Sequence, residues 1–117
     1  MTDAEKDRYE RFEMATLQAQ QMVHSEKAHL EFLRRASMSA GIYVLEAGAD
    51  DSQQPHAEDE LYHVIEGRAV LEVDGDQRPV QPGTVVFVAA GTPHRFHSIA
   101  SKLVVLVVFS PPEGSAR

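Results

Sequence analysis

The feature that most constrains this chain is a series of short apolar runs, each followed by a turn sequence, that begins near residue 25. Val, Ile, Leu and Phe dominate these runs, and short runs of such residues between turns are typical of strands. No helical segment separates them, so they predict an antiparallel sandwich or barrel, an all-β fold, rather than a parallel sheet. The predicted strands are His29–Leu33, Ile42–Leu45, Leu61–Glu66, Ala69–Val73, Thr84–Val88, Arg95–Ile99 and Leu103–Phe109.

Two of the turns are specific enough to name. Asp74-Gly75 predicts a hairpin, because both central residues of a type I′ turn need a positive φ. Pro82-Gly83 fits a type II turn.

The segment before residue 25 has a different character. Asp3 to Val23 contains no Gly or Pro and is rich in helix-forming residues, so we expect an N-terminal α-helix that packs on the domain or on a second copy. The predicted organisation is a helical extension over residues 1–25, a β-barrel over 26–110 and a flexible tail over 111–117.

Length and charge limit the function. A chain of 117 residues has room for one domain. Its net charge of -7 argues against nucleic acid or an anionic membrane as partner. Cysteine is absent, so a metal site must use imidazole, carboxylate or amide ligands. With no apolar leader and no apolar span, a cytoplasmic location is expected.

Four of the six histidines cluster at the starts of two predicted strands, whereas His24 and His29 are expected to be exposed to solvent. Side chains alternate along a strand, so each cluster is expected to divide between two faces. One face of the first strand holds Glu60, Tyr62 and Val64, with His63 opposite; one face of the second holds His94, Phe96 and Ser98, with His97 opposite.

These clusters resemble the two motifs of the cupin family. Glu60 stands six residues before Gly67, as in the first motif, with His56 at the second histidine position and Gln54 where the first histidine is usual. Gly83 to His94 resembles the second motif, with Ala89 where Pro is usual. Beyond that motif, Ser98 replaces the usual Asn. The resemblance covers residues 29–109 and implies a cupin-type jelly-roll barrel.

The resemblance implies that His56, Glu60 and His94 are metal ligands, with Gln54 as a fourth. Such a set suits one divalent transition metal, namely Fe, Mn, Ni or Zn. Two alternatives stay open: Gln54 only forms a hydrogen bond near the site, or the pocket holds a metal-free carboxylate–imidazole cluster.

Cupins include dioxygenases, isomerases, decarboxylases, lyases and cyclases, as well as sensors and storage proteins. The expected function is a metal-dependent enzyme acting on a small oxygenated or carbonyl compound, with Glu60 and Tyr62 as catalytic residues. Tyr62 has packing as its alternative role. A non-catalytic binding or sensing module is the second hypothesis, and a structural role the third. The resemblance also implies a homodimer.

Four further residues near the motifs are expected to be either solvated or part of the core. Glu58 and Asp59 are expected to be solvated acids, with an imidazole N–H as their alternative partner. Phe87 and Phe96 are expected in the core.

Overall fold

The structure is a computed structural model of the chain and describes residues 8–51 and 55–116. Within these ranges it contains a helix, α1 (Met14–Val23), and eight strands. The strands are β1 (His29–Arg34), β2 (Ser39–Leu45), β3 (Asp59–Glu66), β4 (Ala69–Val73), β5 (Asp76–Val80), β6 (Val85–Val88), β7 (His94–His97) and β8 (Leu103–Ser110).

The strands form two antiparallel sheets. One has five strands in the order β1-β2-β8-β3-β6, and the other has three in the order β5-β4-β7. Side chains from both sheets meet in one apolar core, which includes Tyr62, Leu71, Phe96 and Val105. The predicted all-β, jelly-roll barrel preceded by a helix is therefore confirmed.

Strand β8 is apolar on both faces, and each face has a different cover. Val105 and Val107 point into the core between the sheets. Val104 points outward, where it packs with Ile42 of β2 and Leu17 of α1. The helix of the same chain thus covers part of the outer face of the five-stranded sheet.

The helix begins at Met14, later than the predicted Asp3. Residues 3–7 of that prediction lie outside the described residues, but residues 8–13 are described and are not helical. Contacts with the barrel hold them instead, since Phe12 packs edge-on against Phe32 at 4.8 Å and Glu10 pairs with Arg35 at 2.9 Å. In the described part of the chain, no helix is long and apolar enough to span a membrane.

Strand β5 was not predicted, because it lacks the apolar alternation of a half-buried strand. Of its five residues only Val80 is buried, and Pro79 cannot donate a ladder hydrogen bond. Such a sequence is tolerated at the edge of a sheet, which is where β5 lies. The Asp74-Gly75 hairpin that joins it to β4 is confirmed by φ values of 51° and 85°.

Two of the expected inward-facing residues are in fact exposed. Phe87 is 60% exposed because it pairs with Leu61 on the outer face of β3 and β6, beyond the reach of α1. Ser98 does not share the face of His94 and Phe96, because β7 ends at His97 and Ser98 takes a left-handed φ of 52°. Phe96 is completely buried, as predicted.

Candidate metal centre

The candidate metal centre lies between the two sheets. Glu60 is the second residue of β3 in the five-stranded sheet, and His94 is the first residue of β7 in the three-stranded sheet. Two hydrogen bonds hold the segments that carry these residues together. The N–H of Gly91 donates to the carbonyl of His56 at 2.7 Å, and the N–H of Ala90 donates to the carboxylate of Asp59 at 2.9 Å.

Three of the four predicted ligands come together at this place. Oε1 of Glu60 lies 3.1 Å from Nε2 of His94 and 3.5 Å from Nε2 of His56. One ligand atom from each of these residues lies within 4.8 Å of the other two. Gln54, the predicted fourth ligand, lies outside the described residues.

The imidazole of His94 is oriented by the backbone of its own turn. Its Nδ1 lies 2.8 Å from the carbonyl of Thr92, which can only accept, so Nδ1 carries a proton. In the neutral ring, Nε2 then presents its lone pair to Glu60 and to the hydroxyl of Tyr62, 3.1 Å away. Burial alone would lower the pKa of His94, but the Glu60 carboxylate and the Thr92 carbonyl outweigh burial and raise it.

Glu60 shows that these residues fit a cation. Its side chain is 1% exposed, and among the described residues neither carboxylate oxygen has a hydrogen-bond partner. A buried carboxylate without hydrogen bonds is costly unless a positive charge lies beside it. Two imidazole nitrogens and one carboxylate suit Fe, Mn, Ni or Zn better than Ca or Mg, which prefer oxygen ligands.

The predicted alternation along the two strands is confirmed around the site. Glu60, Tyr62 and Val64 are all buried on the inner face, while His63 points the other way and is partly exposed. His97 likewise points away from His94 and lies 3.8 Å from Glu72.

A cavity of about 140 Å³ opens beside the centre. Its apolar and aromatic walls are Tyr43, Tyr62, Val107 and Phe109. The ring of Phe109 contacts that of His56 edge-on, with the centroids 4.9 Å apart. A cavity of this size admits a ligand of only a few heavy atoms, smaller than the occupants of typical ligand pockets.

Three polar residues near the centre were not predicted to belong to it. His29, expected to be exposed, turns inward and lines the cavity, as does Glu113 from the predicted tail. Asp51 is 3% exposed and accepts from the hydroxyl of Tyr43 at 2.7 Å and from the N–H of Phe96 at 2.8 Å. The sequence gives little signal for these residues, since long-range contacts place all three.

The two acids beside the first motif bind backbone N–H groups. Glu58 is 3% exposed, so the expectation that it is solvated is wrong, and its Oε2 accepts from the N–H of Ala116 at 3.1 Å. Asp59 is exposed as expected, and its bond to the N–H of Ala90 fixes the turn before β7.

Comparison with known proteins gives a family match and a similar protein over most of the chain. Residues 41–110 match the family model described as a cupin domain. An uncharacterized protein of Streptomyces coelicolor is 49% identical over 102 residues, which is 87% of this chain and 96% of the relative.

Solved structures share the fold. TT1209 from Thermus thermophilus superposes with a TM-score of 0.72 at 26% identity, covering 89% of this chain and 99% of that one. The DMSP lyase DddQ from Ruegeria pomeroyi has a TM-score of 0.61 at 26% identity, over 65% of this chain and 39% of the lyase. The matched family model spans more than half of the sequence and includes His56, Glu60 and His94. The chain therefore belongs to the cupin family and carries one cupin domain.

Proposed function

We propose that this chain is a metal-dependent enzyme that transforms a small oxygenated or carbonyl compound by a lyase or isomerase type of reaction. The observation that carries the proposal is a buried Glu60 carboxylate without hydrogen bonds, held between two imidazoles and next to a buried phenol. Dioxygenase and cyclase reactions can use the same donors, but a phenol beside the centre favours proton transfer.

In this proposal His56, Glu60 and His94 hold one divalent ion, and Gln54 is its proposed fourth ligand. Once bound, such an ion supplies Lewis-acid polarisation of a substrate oxygen. The carbonyl of Thr92 keeps the Nε2 lone pair of His94 directed at the ion position, and a fixed tautomer of this kind raises metal affinity.

Tyr62 is the proposed proton-transfer residue. Its side chain is buried, and its hydroxyl lies 3.1 Å from Nε2 of His94, so it borders both the ligands and the cavity. The apolar walls of the cavity keep bulk water away from the phenol, which strengthens its interaction with a developing charge on the substrate.

The likeness to the DMSP lyase supports the lyase type of reaction. It is a likeness over part of a longer protein, because this chain spans 39% of that lyase. We therefore propose the class of reaction for this chain, and the substrate panel described next is designed to identify the compound.

The test is elemental analysis of the purified protein together with turnover measured across a panel of small hydroxy, keto and carboxylic acids. Glu60→Gln is expected to lose both metal and turnover, whereas Tyr62→Phe is expected to keep the metal and lose turnover. Glu66→Gln is the matched control, since Glu66 is exposed at the end of the same strand. A metal-loaded protein in which Glu60→Gln leaves turnover unchanged would refute the proposal. Saturable binding of a panel compound without turnover would favour the binding or sensing module instead.

We also propose that the chain forms a homodimer. Leu61, Val85 and Phe87 form an exposed apolar patch, defined here as the outer patch, on the face of β3 and β6 that α1 leaves uncovered. An apolar patch at a sheet edge is a site where a second copy can bury surface. The cytoplasmic location, and the exclusion of nucleic acid and membrane as partners, stay predictions from the sequence.

A further inference from the structure

The chain does not leave the barrel after β8. It turns back over residues 111–116, called here the strap, and is bound to the barrel at three points. The N–H of Glu113 donates to Oγ of Ser39 at 2.9 Å, and its carbonyl accepts from Arg34 at 3.2 Å. The N–H of Ala116 donates to the buried carboxylate of Glu58. These backbone contacts fix the position of the strap at the mouth of the cavity.

The strap brings the side chain of Glu113 between two imidazoles. Its Oε1 lies 3.6 Å from Nδ1 of His29, and its Oε2 lies 3.9 Å from Nδ1 of His56. All three side chains line the cavity or its mouth and stay partly exposed, at 32% for Glu113, 27% for His29 and 21% for His56. A bound ligand can therefore reach this carboxylate from inside the cavity.

His29 reaches this place because the residue beside it is a glycine. A Cβ built on Gly41 would come within 2.1 Å of Nε2 of His29, so any other residue would displace the ring. That nitrogen is buried and has no hydrogen-bond partner in the described part of the chain. Because Nε2 faces Gly41, the ring presents its Nδ1 to Glu113. A ring position that needs a strand glycine costs stability, which points to a use in binding.

We propose that Glu113 and His29 form a subsite that selects a hydroxyl group at the end of the ligand farthest from the metal position. The proposal rests on the proposed function, which supplies the metal for the other end. A carboxylate accepts hydrogen bonds, and an imidazole nitrogen donates or accepts according to its tautomer. A hydroxyl group does both, so it matches the pair. Tyr43, Val107 and Phe109 enclose the short carbon chain between the two ends.

The test compares two probes that differ by one hydroxyl group, propionate and 3-hydroxypropionate, by calorimetry on zinc-loaded protein. We expect 3-hydroxypropionate to bind at least about tenfold more tightly, which is the lower end of the gain for a hydrogen bond to a charged group. Glu113→Gln is expected to reduce this preference to about twofold, since a neutral amide is a weaker acceptor than a carboxylate. Glu46→Gln, which makes the same change at an exposed site outside the cavity lining, is expected to keep the preference.

Equal affinities for the two probes in the unaltered protein would overturn the proposal. So would a preference that Glu113→Gln leaves unchanged, or tighter binding of 3-aminopropionate, which would show that the subsite selects a cation.

Calorimetry on the zinc-loaded protein distinguishes a failure of the subsite from a failure of the proposed function, because ligand binding at equilibrium requires no turnover. If the protein takes up none of zinc, iron, manganese and nickel, the proposed function fails, and the subsite is judged on metal-free protein by NMR. There, 3-hydroxypropionate but not propionate is expected to shift the His29 ring signals, and the absence of that difference overturns the subsite too.

Discussion

Nε2 of His94 lies 3.1 Å from Oε1 of Glu60, although the two residues belong to different sheets and stand 34 positions apart in the sequence. Both side chains are 1% exposed. Without an ion between them, the Glu60 carboxylate and the His94 imidazole attract each other only if Nε2 is also protonated and the ring is positively charged. With an ion bound, Nε2 and the carboxylate must both be free of protons. The protonation of His94 is therefore expected to differ between the metal-free and the metal-loaded protein.

In the metal-free protein, the raised pKa of His94 predicts a specific dependence of stability on pH. A group with a higher pKa in the folded state contributes stability that is fully present below its unfolded value, about 6.5, and is lost as pH rises through the folded value. Titration of the His94 ring signals by NMR checks this, with the urea-unfolded protein as control. A folded-state pKa at or below the unfolded one would contradict it.

In the metal-loaded protein, acid is expected to remove the ion. Ligand imidazoles must be neutral and Glu60 ionised, so metal should be released as pH falls through the histidine range, about 6 and below. Dialysis at a series of pH values followed by elemental analysis measures the release. Full retention of the metal at about pH 4 would contradict the proposed ligands, since His56 and His94 would then have to stay unprotonated.

At a pH above the folded-state pKa of His94, where the imidazole is neutral and gives Glu60 no charge partner, Glu60→Met is expected to stabilise the metal-free protein while it abolishes metal uptake. The substitution replaces a buried carboxylate that lacks hydrogen bonds with an apolar side chain of similar length, which removes an unsatisfied group worth about 1 to 3 kcal/mol. Urea unfolding of the metal-free proteins gives the difference. A less stable Glu60→Met variant would show that the carboxylate is already neutralised within the fold.

Asp51→Ala is expected to cost about 3 kcal/mol of unfolding free energy, because it leaves the hydroxyl of Tyr43 and the buried N–H of Phe96 without their acceptor. Tyr43→Phe removes the hydroxyl instead and is expected to cost about 1 kcal/mol. Since Asp51 ties the segment before His56 to β7, its loss should also weaken metal binding. Equal effects of the two substitutions on stability would mean that the bond to Phe96 contributes nothing.

Phe87→Glu is expected to convert the proposed homodimer into a monomer, because it places a charge in the outer patch. Sedimentation velocity at micromolar concentration measures the change. Val23→Glu is the matched control, since Val23 is an exposed apolar residue at the end of α1 and lies outside the outer patch. If the unaltered protein sediments only as a monomer, the outer patch is not a dimer interface.

The sequence predicted the parts of this site that depend on local alternation. Glu60 and Tyr62 share a face because they are two residues apart in one strand, and the same rule applies to His94 and Phe96. The positions of His29, Asp51 and Glu113 depend on contacts between distant segments. His29 follows an ordinary charged stretch, and nothing near it in the sequence shows that Gly41 leaves space for its ring.

The missed strand β5 and the wrong placement of Phe87 also depend on the arrangement of the whole chain. Strand β5 is polar because its faces are mostly exposed, so alternation could not mark it. Phe87 is apolar but lies on the outer face of the sheet, where α1 does not cover it. The sequence of β6 gives no sign of how far α1 extends over the sheet. Apolar periodicity identifies which residues share a face, but only the arrangement of the whole chain decides which face is inside.

The division of the metal centre between the two sheets has a consequence for the lifetime of the protein. If the proposed ion is bound by His56 and Glu60 on one side and His94 on the other, it would be a cross-link across the core, and the sheets could not separate without releasing it. Stability then rises with the free metal concentration relative to its dissociation constant. Proteases act on the opened chain, so under this proposal the amount of the protein in a cell would follow the supply of that metal.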